Sequence, residues 1–320
     1  MPENTLESIY IYRPNAVAPV VFAVAFLIAG LVHFWQCSRY KSWKWTMLHP
    51  LCCIMFAVGF ALREYGAFHY EFTKTNLNVY IASICLIYMS PPLLELVNYH
   101  VLGRILYYIP HLSPIHPGRV LTTFGLLSSF VEALNAIGVS YSANSALPER
   151  YINLGHALME ASLIVQLVVI ALFALLASVF FHRCHKNGVL VQKVYTPLNV
   201  LSISMGLILA RTIYRTIEYF VIANVIVNYE SGPENISPLL NYEWYFWVFE
   251  STLMLINSVM WNVWHPGRYL PKNKRLHLMK DGVTEIEGIE DKDERSFLVT
   301  LIDPFGLCTA QRRKIEDGSV

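Results

Sequence analysis

Seven long apolar stretches, at about 16–36, 47–63, 77–101, 120–142, 153–181, 198–228 and 243–264, limit what this chain can become. A helix of ~20 mostly apolar residues crosses the ~30 Å hydrocarbon core of a bilayer. The composition agrees, with 55% hydrophobic and 15% charged residues against about a quarter charged in a soluble domain. An all-α, polytopic membrane protein is therefore expected, a bundle of seven transmembrane helices. Several runs exceed the spanning length, which predicts tilt or extension past the bilayer. The first run has neither a basic segment before it nor a small-residue cleavage site after it, so it reads as a retained span rather than a signal peptide. A net charge of +1 gives no surplus that would point to nucleic acid.

Lysine and arginine in the short loops set orientation. One set of loops carries Arg39, Lys41, Lys44, Arg104, Arg119, Arg183, Lys186, Lys193, Arg268, Lys272, Lys274, Arg275 and Lys280. The other carries only Arg13, Arg63, Lys74 and Arg150, and also holds the single sequon, Asn235-Ile236-Ser237, a candidate glycosylation site followed by Pro238. Both point to an outer N-terminus and a cytosolic C-terminus. Residues 1–15 then form an outer arm, 16–264 the seven-helix membrane domain, and 265–320 a cytosolic tail. The sign-alternating sequence beyond about residue 281 reads as largely disordered, and the loop 104–119, with Pro110, Pro114 and Pro117, as too broken for helix. No cysteine falls in an outer loop, which argues against a disulfide framework.

Within the sixth run the sequence is Arg-Thr-Ile-Tyr-Arg-Thr-Ile-Glu-Tyr-Phe from position 211. At 100° per residue, Arg215 lies about 40° from Arg211, and Glu218 about 20° the other way, so the three share one stripe with Tyr214 beside it. A charge at bilayer depth costs about 2.5–3.5 kcal/mol on insertion scales and must face the bundle interior or a hydrated cavity. Partners on other spans are Glu95 and Asn98, Glu132 and Asn135, Glu160 and Gln166, and Glu250 with Asn257 two turns on. One reading is an interhelical network that only holds the bundle. Intramembrane hydrogen bonds average only ~0.6 kcal/mol each, which favours a shared hydrated binding or translocation chamber instead. Tyr245, in the aromatic stretch 243–250, is either part of an interfacial belt or a stacking surface for a flat ligand. His49, His111, His116, His182, His185 and His265 cluster toward one membrane face, but no H-E-x-x-H or H-x-x-E-H spacing occurs, and no metal site or cofactor is expected. No Gly-rich phosphate loop with Lys-Ser/Thr is present either.

Several of these residues carry a resemblance. Arg211, Tyr214, Arg215, Glu218 and Tyr219 are similar to the R-s-x-y-R-x-x-E-y pattern of the fungal lipid-translocating exporter family, the aminocholesterol-resistance and sphingoid-base exporter type. Glu243, Tyr245 and His265-Pro266-Gly267 resemble its seventh span. Tyr12-Arg13-Pro14-Asn15 resembles the start of its first, Gly59-Phe60-x-x-Arg63 its second, Pro91 and Tyr99 its third, and Gly155 and Gln166 its fifth. The likeness covers roughly residues 8–272. Departures are Phe56 where an acid is expected, Ser128 and Asn135 for a fourth-span Asp and Gln, Glu250 for an Asp, and Glu95 for a small residue; Glu132 lies one turn beyond Ser128.

The resemblance implies a non-enzymatic exporter or flippase of amphipathic molecules such as sphingoid bases, sterol derivatives or porphyrins, serving resistance to toxic lipids or drugs. It also implies membrane lipids as partners and a fungal plasma membrane as location, with vacuole and endoplasmic reticulum as alternatives. Cationic head groups would meet Glu95, Glu132, Glu160 and Glu250; anionic ones would meet Arg211 and Arg215. A seven-helix receptor for a lipophilic ligand and a zinc-dependent membrane lipid hydrolase remain the alternatives from other classes.

Overall fold

The structure is a computed structural model; it describes residues 14–287 except 70, 72, 143–146, 190, 228–238, 240–241, 272, 274–275 and 280–283. Helices α1 (Ala18–Tyr40), α3 (Leu48–Phe68), α4 (Lys74–Tyr108), α5 (Pro117–Ser142), α6 (Glu149–Lys186) and α7 (Gln192–Val227) alternate in direction through a bundle, with a short α2 (Trp43–Thr46) after α1. By length and composition, six helices among the described residues can cross a membrane. A further helix, α8, runs from Trp244 to Val263 with a π-helical segment at Trp247–Thr252. It packs between α1 and α7. One end of the bundle holds the start of α1 (the amino end); the other holds the residues after α8 (the hairpin end).

Local chemistry explains where the helices begin and stop. The Asn15 side chain accepts the Val17 and Ala18 N–H groups, capping α1. Lys41, at φ 54°, closes it in a left-handed turn that returns N–H to Cys37 and Ser38. Thr73 caps α4 through the Asn76 N–H. Helix α4 then continues through Pro91 and Pro92, and the Ser90 hydroxyl donates to the Leu86 carbonyl there. Pro91 and Pro92, both buried, carry no N–H for the Ile87 and Tyr88 carbonyls four residues back.

The expectation of a helix-free 104–119 is corrected. Helix α4 continues to Tyr108, Pro110 opens a 3-10 turn to Leu112, and Pro117 opens α5. Proline suits a first helical position because its φ is already helical and its missing N–H is needed by nothing. Arg63, read from the sequence as a loop residue, lies within α3 and is buried.

Residues Val21, Val24, Ile28, Leu31 and Trp35 form an exposed apolar stripe on α1. Spaced at three and four residues, it is a lipid-facing surface, and with six apolar helices of spanning length it makes the chain an integral membrane protein. Inside, Phe26 stacks on Phe56 at 4.5 Å with Phe60 beside them, and Tyr99, Phe124 and Phe173 form a second aromatic knot. Helices α5 and α6 meet through Gly138 and Gly155. A Cβ on Gly155 would lie 2.8 Å from the Gly138 carbonyl oxygen and 2.7 Å from the Ser142 nitrogen. Only glycine lets the two backbones come that close.

After α8 the chain makes a hairpin, β1 (Leu276–Leu278) antiparallel to β2 (Glu285–Glu287). This corrects the reading of residues 285–287 as unstructured. Leu278 is buried, and the Glu285 carboxylate accepts from Lys193 Nζ at 2.7 Å and Tyr108 OH at 2.6 Å. Those two hydrogen bonds, Lys193 first, hold the Glu285 carboxyl below its usual range. A short strand is stable here because α4 and the start of α7 supply partners that the sequence pattern alone does not show.

Candidate functional site

Arg211 and Glu250 make the most buried ion pair among the described residues. Arg211 Nε reaches both Glu250 oxygens at 2.9 and 2.8 Å, and a terminal nitrogen adds a contact of 2.8 Å. Glu250 is fully buried. It sits in the π-helical part of α8, where Thr252 Oγ1 donates to the Trp247 carbonyl five residues back. The extra residue per turn alters the facing of α8 at this point, and such bulges recur at functional positions. The fork of a guanidinium on a carboxylate fixes both side chains in one geometry.

One turn along α7, Arg215 pairs with Glu218 and lies over the Tyr88 ring at 3.7 Å. Tyr214 OH donates to the other Glu218 oxygen at 3.1 Å. This second pair is not sealed: the side chains are 20% and 13% exposed, against 5% and 0% for Arg211 and Glu250. Tyr88 also lies 5.9 Å from the Arg211 guanidinium, so one ring bridges the two arginines. From Tyr214 a run of rings continues through Phe249 at 5.4 Å to Tyr245 at 6.5 Å, and Tyr245 stacks on exposed Trp244 at 3.8 Å.

Glu95 belongs to a third group. It accepts from Gln166 Nε2 at 3.1 Å and from Tyr99 OH at 3.2 Å, and Tyr99 OH also lies 3.2 Å from Ser128 Oγ. Glu132 joins Glu95, Gln166, Ser128 and Pro92 around a recess of about 180 Å³ between α4, α5 and α6. That space is divided too finely to admit a water molecule. The hydrated chamber expected from the sequence is thus closed here. Asn135 is half-buried and takes no part in the lining, and Glu160 is half-buried on α6. Asn235 lies outside the described residues.

Sequence reasoning did not find the partners of Arg63. Its guanidinium meets Glu243 at 2.9 Å and lies over the Phe246 ring at 4.3 Å, while Glu243 also accepts the Asn15 N–H at 2.8 Å. The contact binds α3, α8 and the start of α1 at the amino end. Tyr88 was also missed, although it stands two turns before Glu95 and so on the same side of α4. Among the described residues no three His, Cys, Asp or Glu side chains are grouped to hold a metal ion.

A protein of Leptosphaeria maculans named lipid-translocating exporter-like protein RTA1 is 42% identical over 309 residues, covering 94% of this chain. The chain spans only 59% of that relative's length. A protein of the same name from Ajellomyces capsulatus is 26% identical over 87% of both chains. A third, from Emericella nidulans, named probable lipid transporter atnI, is 22% identical and covers 84% of this chain and 70% of its own. No solved structure matches. Residues 49–273, from the start of α3 to the turn after α8, match the family described as RTA1 like protein, and the chain belongs to that family.

Proposed function

We propose that this protein moves amphipathic, lipid-like molecules across its membrane, and that the half-open Arg215–Glu218 pair receives the head group. The carrying observation is the contrast between the two arginine pairs. Arg211–Glu250 is sealed and doubly bonded, a fixed element. Arg215–Glu218 lies a turn away, partly exposed, with Tyr88 and Tyr214 around it. A pair with one charge of each sign can exchange its internal partner for the ammonium of a sphingoid base or the carboxylate of a porphyrin, at small net electrostatic cost. The rings of Tyr214, Phe249, Tyr245 and Trp244 offer a greasy flank along which an acyl or polycyclic body stacks. The names of the relatives, exporter-like and lipid transporter, support the same reading.

Glu95, Glu132 and Gln166 form the inner group, closed in this conformation, that a translocating head group reaches once the helices part. Asn135 stands one turn along on the same helix. The lysine and arginine bias supports a cytosolic hairpin end and an outer amino end, and the proposed site of action is the plasma membrane, with the vacuolar and endoplasmic reticulum membranes as alternatives. The chain acts as a transporter and carries out no covalent chemistry. A lipid-sensing receptor would share the closed packing, and net movement of substrate separates the two.

The test is purified protein in liposomes, assayed for transfer of labelled sphingoid base, sterol and porphyrin. Transfer above that of empty vesicles for at least one of them is expected, with a large loss in Arg215→Ala and Glu218→Gln. Flux equal to empty vesicles for all three overturns the transporter reading; undiminished flux in both variants moves the head-group site elsewhere.

A further inference from the structure

A head group can pass through the bundle only if helices part, and the half-open arginine pair lies on one seam, where Tyr88 of α4 meets Arg211 and Arg215 of α7. Followed toward the hairpin end, that seam is fastened twice more. The first fastening is internal. Asn98 of α4 donates to Ser204 Oγ of α7 at 2.9 Å, and Trp261 Nε1 of α8 donates to the same oxygen at 3.2 Å. All three residues are buried.

The second fastening is the hairpin, which belongs to neither helix yet holds the end of each. Lys193 Nζ, in the first turn of α7, and Tyr108 OH, on the last residue of α4, both donate to Glu285 Oε1, at 2.7 and 2.6 Å. One carboxylate oxygen of β2 thus ties the two helix ends together. On β1, His277 Nδ1 lies 2.6 Å from the Tyr107 carbonyl, which only accepts, so this nitrogen carries the hydrogen. Arg104 donates to the Pro271 carbonyl ahead of the hairpin, and Leu278 is buried. Tyr88 and Tyr108 both lie on α4, about 30 Å apart at 1.5 Å per residue. The hairpin therefore acts at the far end of the seam that carries the arginines.

Its strength suits release. The Lys193 side chain is 53% exposed and that of Glu285 30%, so water and salt reach and screen the pair. Arg211–Glu250, by contrast, is sealed. A weak, solvent-reached bond between helix ends contributes little to whether the bundle stands. It bears instead on how often those ends separate, because local openings draw on the least stable contacts.

We propose that the β1–β2 hairpin is an autoinhibitory clasp: while Glu285 bridges Lys193 and Tyr108, α4 and α7 stay together at the hairpin end and no head group passes there. When Glu285 lets go, the hairpin leaves both helices, and Asn98–Ser204 is the fastening that remains before Tyr88. The seam then opens from the hairpin end inward. A segment outside the long helices thus sets the balance between closed and open bundles, and with it the rate of transfer.

The inference rests on the transporter reading, and the experiment separates the two. Full-length protein in phosphatidylcholine vesicles is compared as wild type, as Glu285→Gln, and as the charge exchange Lys193→Glu with Glu285→Lys. Tyr108 OH can accept as readily as it donates, so the exchange rebuilds the bridge. Initial transfer of labelled long-chain base is one readout. The other is the separation of the helix ends, from pulsed electron paramagnetic resonance between nitroxides at His111→Cys and Gln192→Cys. Cys85→Ser and Cys308→Ser remove competing thiols, the remaining cysteines being buried.

Glu285→Gln is expected to transfer lipid about two- to fivefold faster, the factor an exposed ion pair carries, and to add a longer distance population. The charge exchange should return both toward wild type. Transfer in Glu285→Gln that is unchanged or slower overturns the inference and leaves the transporter reading standing. So does a gain that the charge exchange fails to reverse. If no form moves lipid, the transporter reading falls and the distances decide alone. A longer population in Glu285→Gln that the exchange removes upholds the clasp, and identical distances in all three forms end it.

Discussion

At the scale of single residues, the Arg211–Glu250 pair shows what sequence can and cannot give. The stripe of Arg211, Arg215 and Glu218 follows from helical spacing alone and is legible. Which of the four glutamates Arg211 would choose is not, because that depends on how α8 is rotated by its π-helical turn. Arg63 was misplaced for a related reason: its apolar run ends there, and its partner Glu243 lies 180 positions away. Removing one member of a buried pair costs about 3–5 kcal/mol, whereas replacing both with apolar groups is often neutral. Arg211→Ala is thus expected to lower the thermal unfolding midpoint sharply, while Arg211→Met with Glu250→Leu recovers most of it yet stays defective in lipid transfer. Thermal denaturation in detergent beside the vesicle assay checks both halves.

At the scale of elements, the seven apolar runs and the helices agree to within several residues at most ends. The loop 104–119 was missed at its prolines: Pro110 and Pro117 begin helical turns instead of preventing them. A one-dimensional reading charges each proline its full cost, whereas the fold places these two where the missing N–H is surplus. The hairpin eluded the sequence because its partners come from α4 and α7. Glu285, held below the usual carboxylate range, stabilises docking above its unfolded value of about 4.3, and that contribution is lost as pH falls through the lower folded value. The exchange protection factors of residues 276–279 and 284–287 should therefore fall on acidification below about pH 4, and Glu285→Gln should show lower protection already at neutral pH with less acid sensitivity. For α5 and α6, Gly155→Ala forces a methyl into backbone atoms under 3 Å away. Overpacking of that kind costs about 1–3 kcal/mol, which a lowered unfolding midpoint would register.

For the whole molecule, the apolar exterior was the easiest feature to foresee and governs most of the rest. Ile28 sits near the middle of the outward stripe of α1, 58% exposed. Ile28→Arg would place a charge against acyl chains at a cost of about 2.5–3.5 kcal/mol on insertion scales, so reduced membrane integration is expected in a translocation assay. The closed recess near Glu95 was not foreseeable, since apolar periodicity reports which face is inside but not how tightly it is filled. The contact of Gly138 with Gly155 sets a limit on how such a recess can open. Two backbones touching directly have no side chains to slide or repack between them, so α5 and α6 must travel as a single beam. Any gate has to form along seams cushioned by larger groups, above all where α4 and α7 meet around Tyr88.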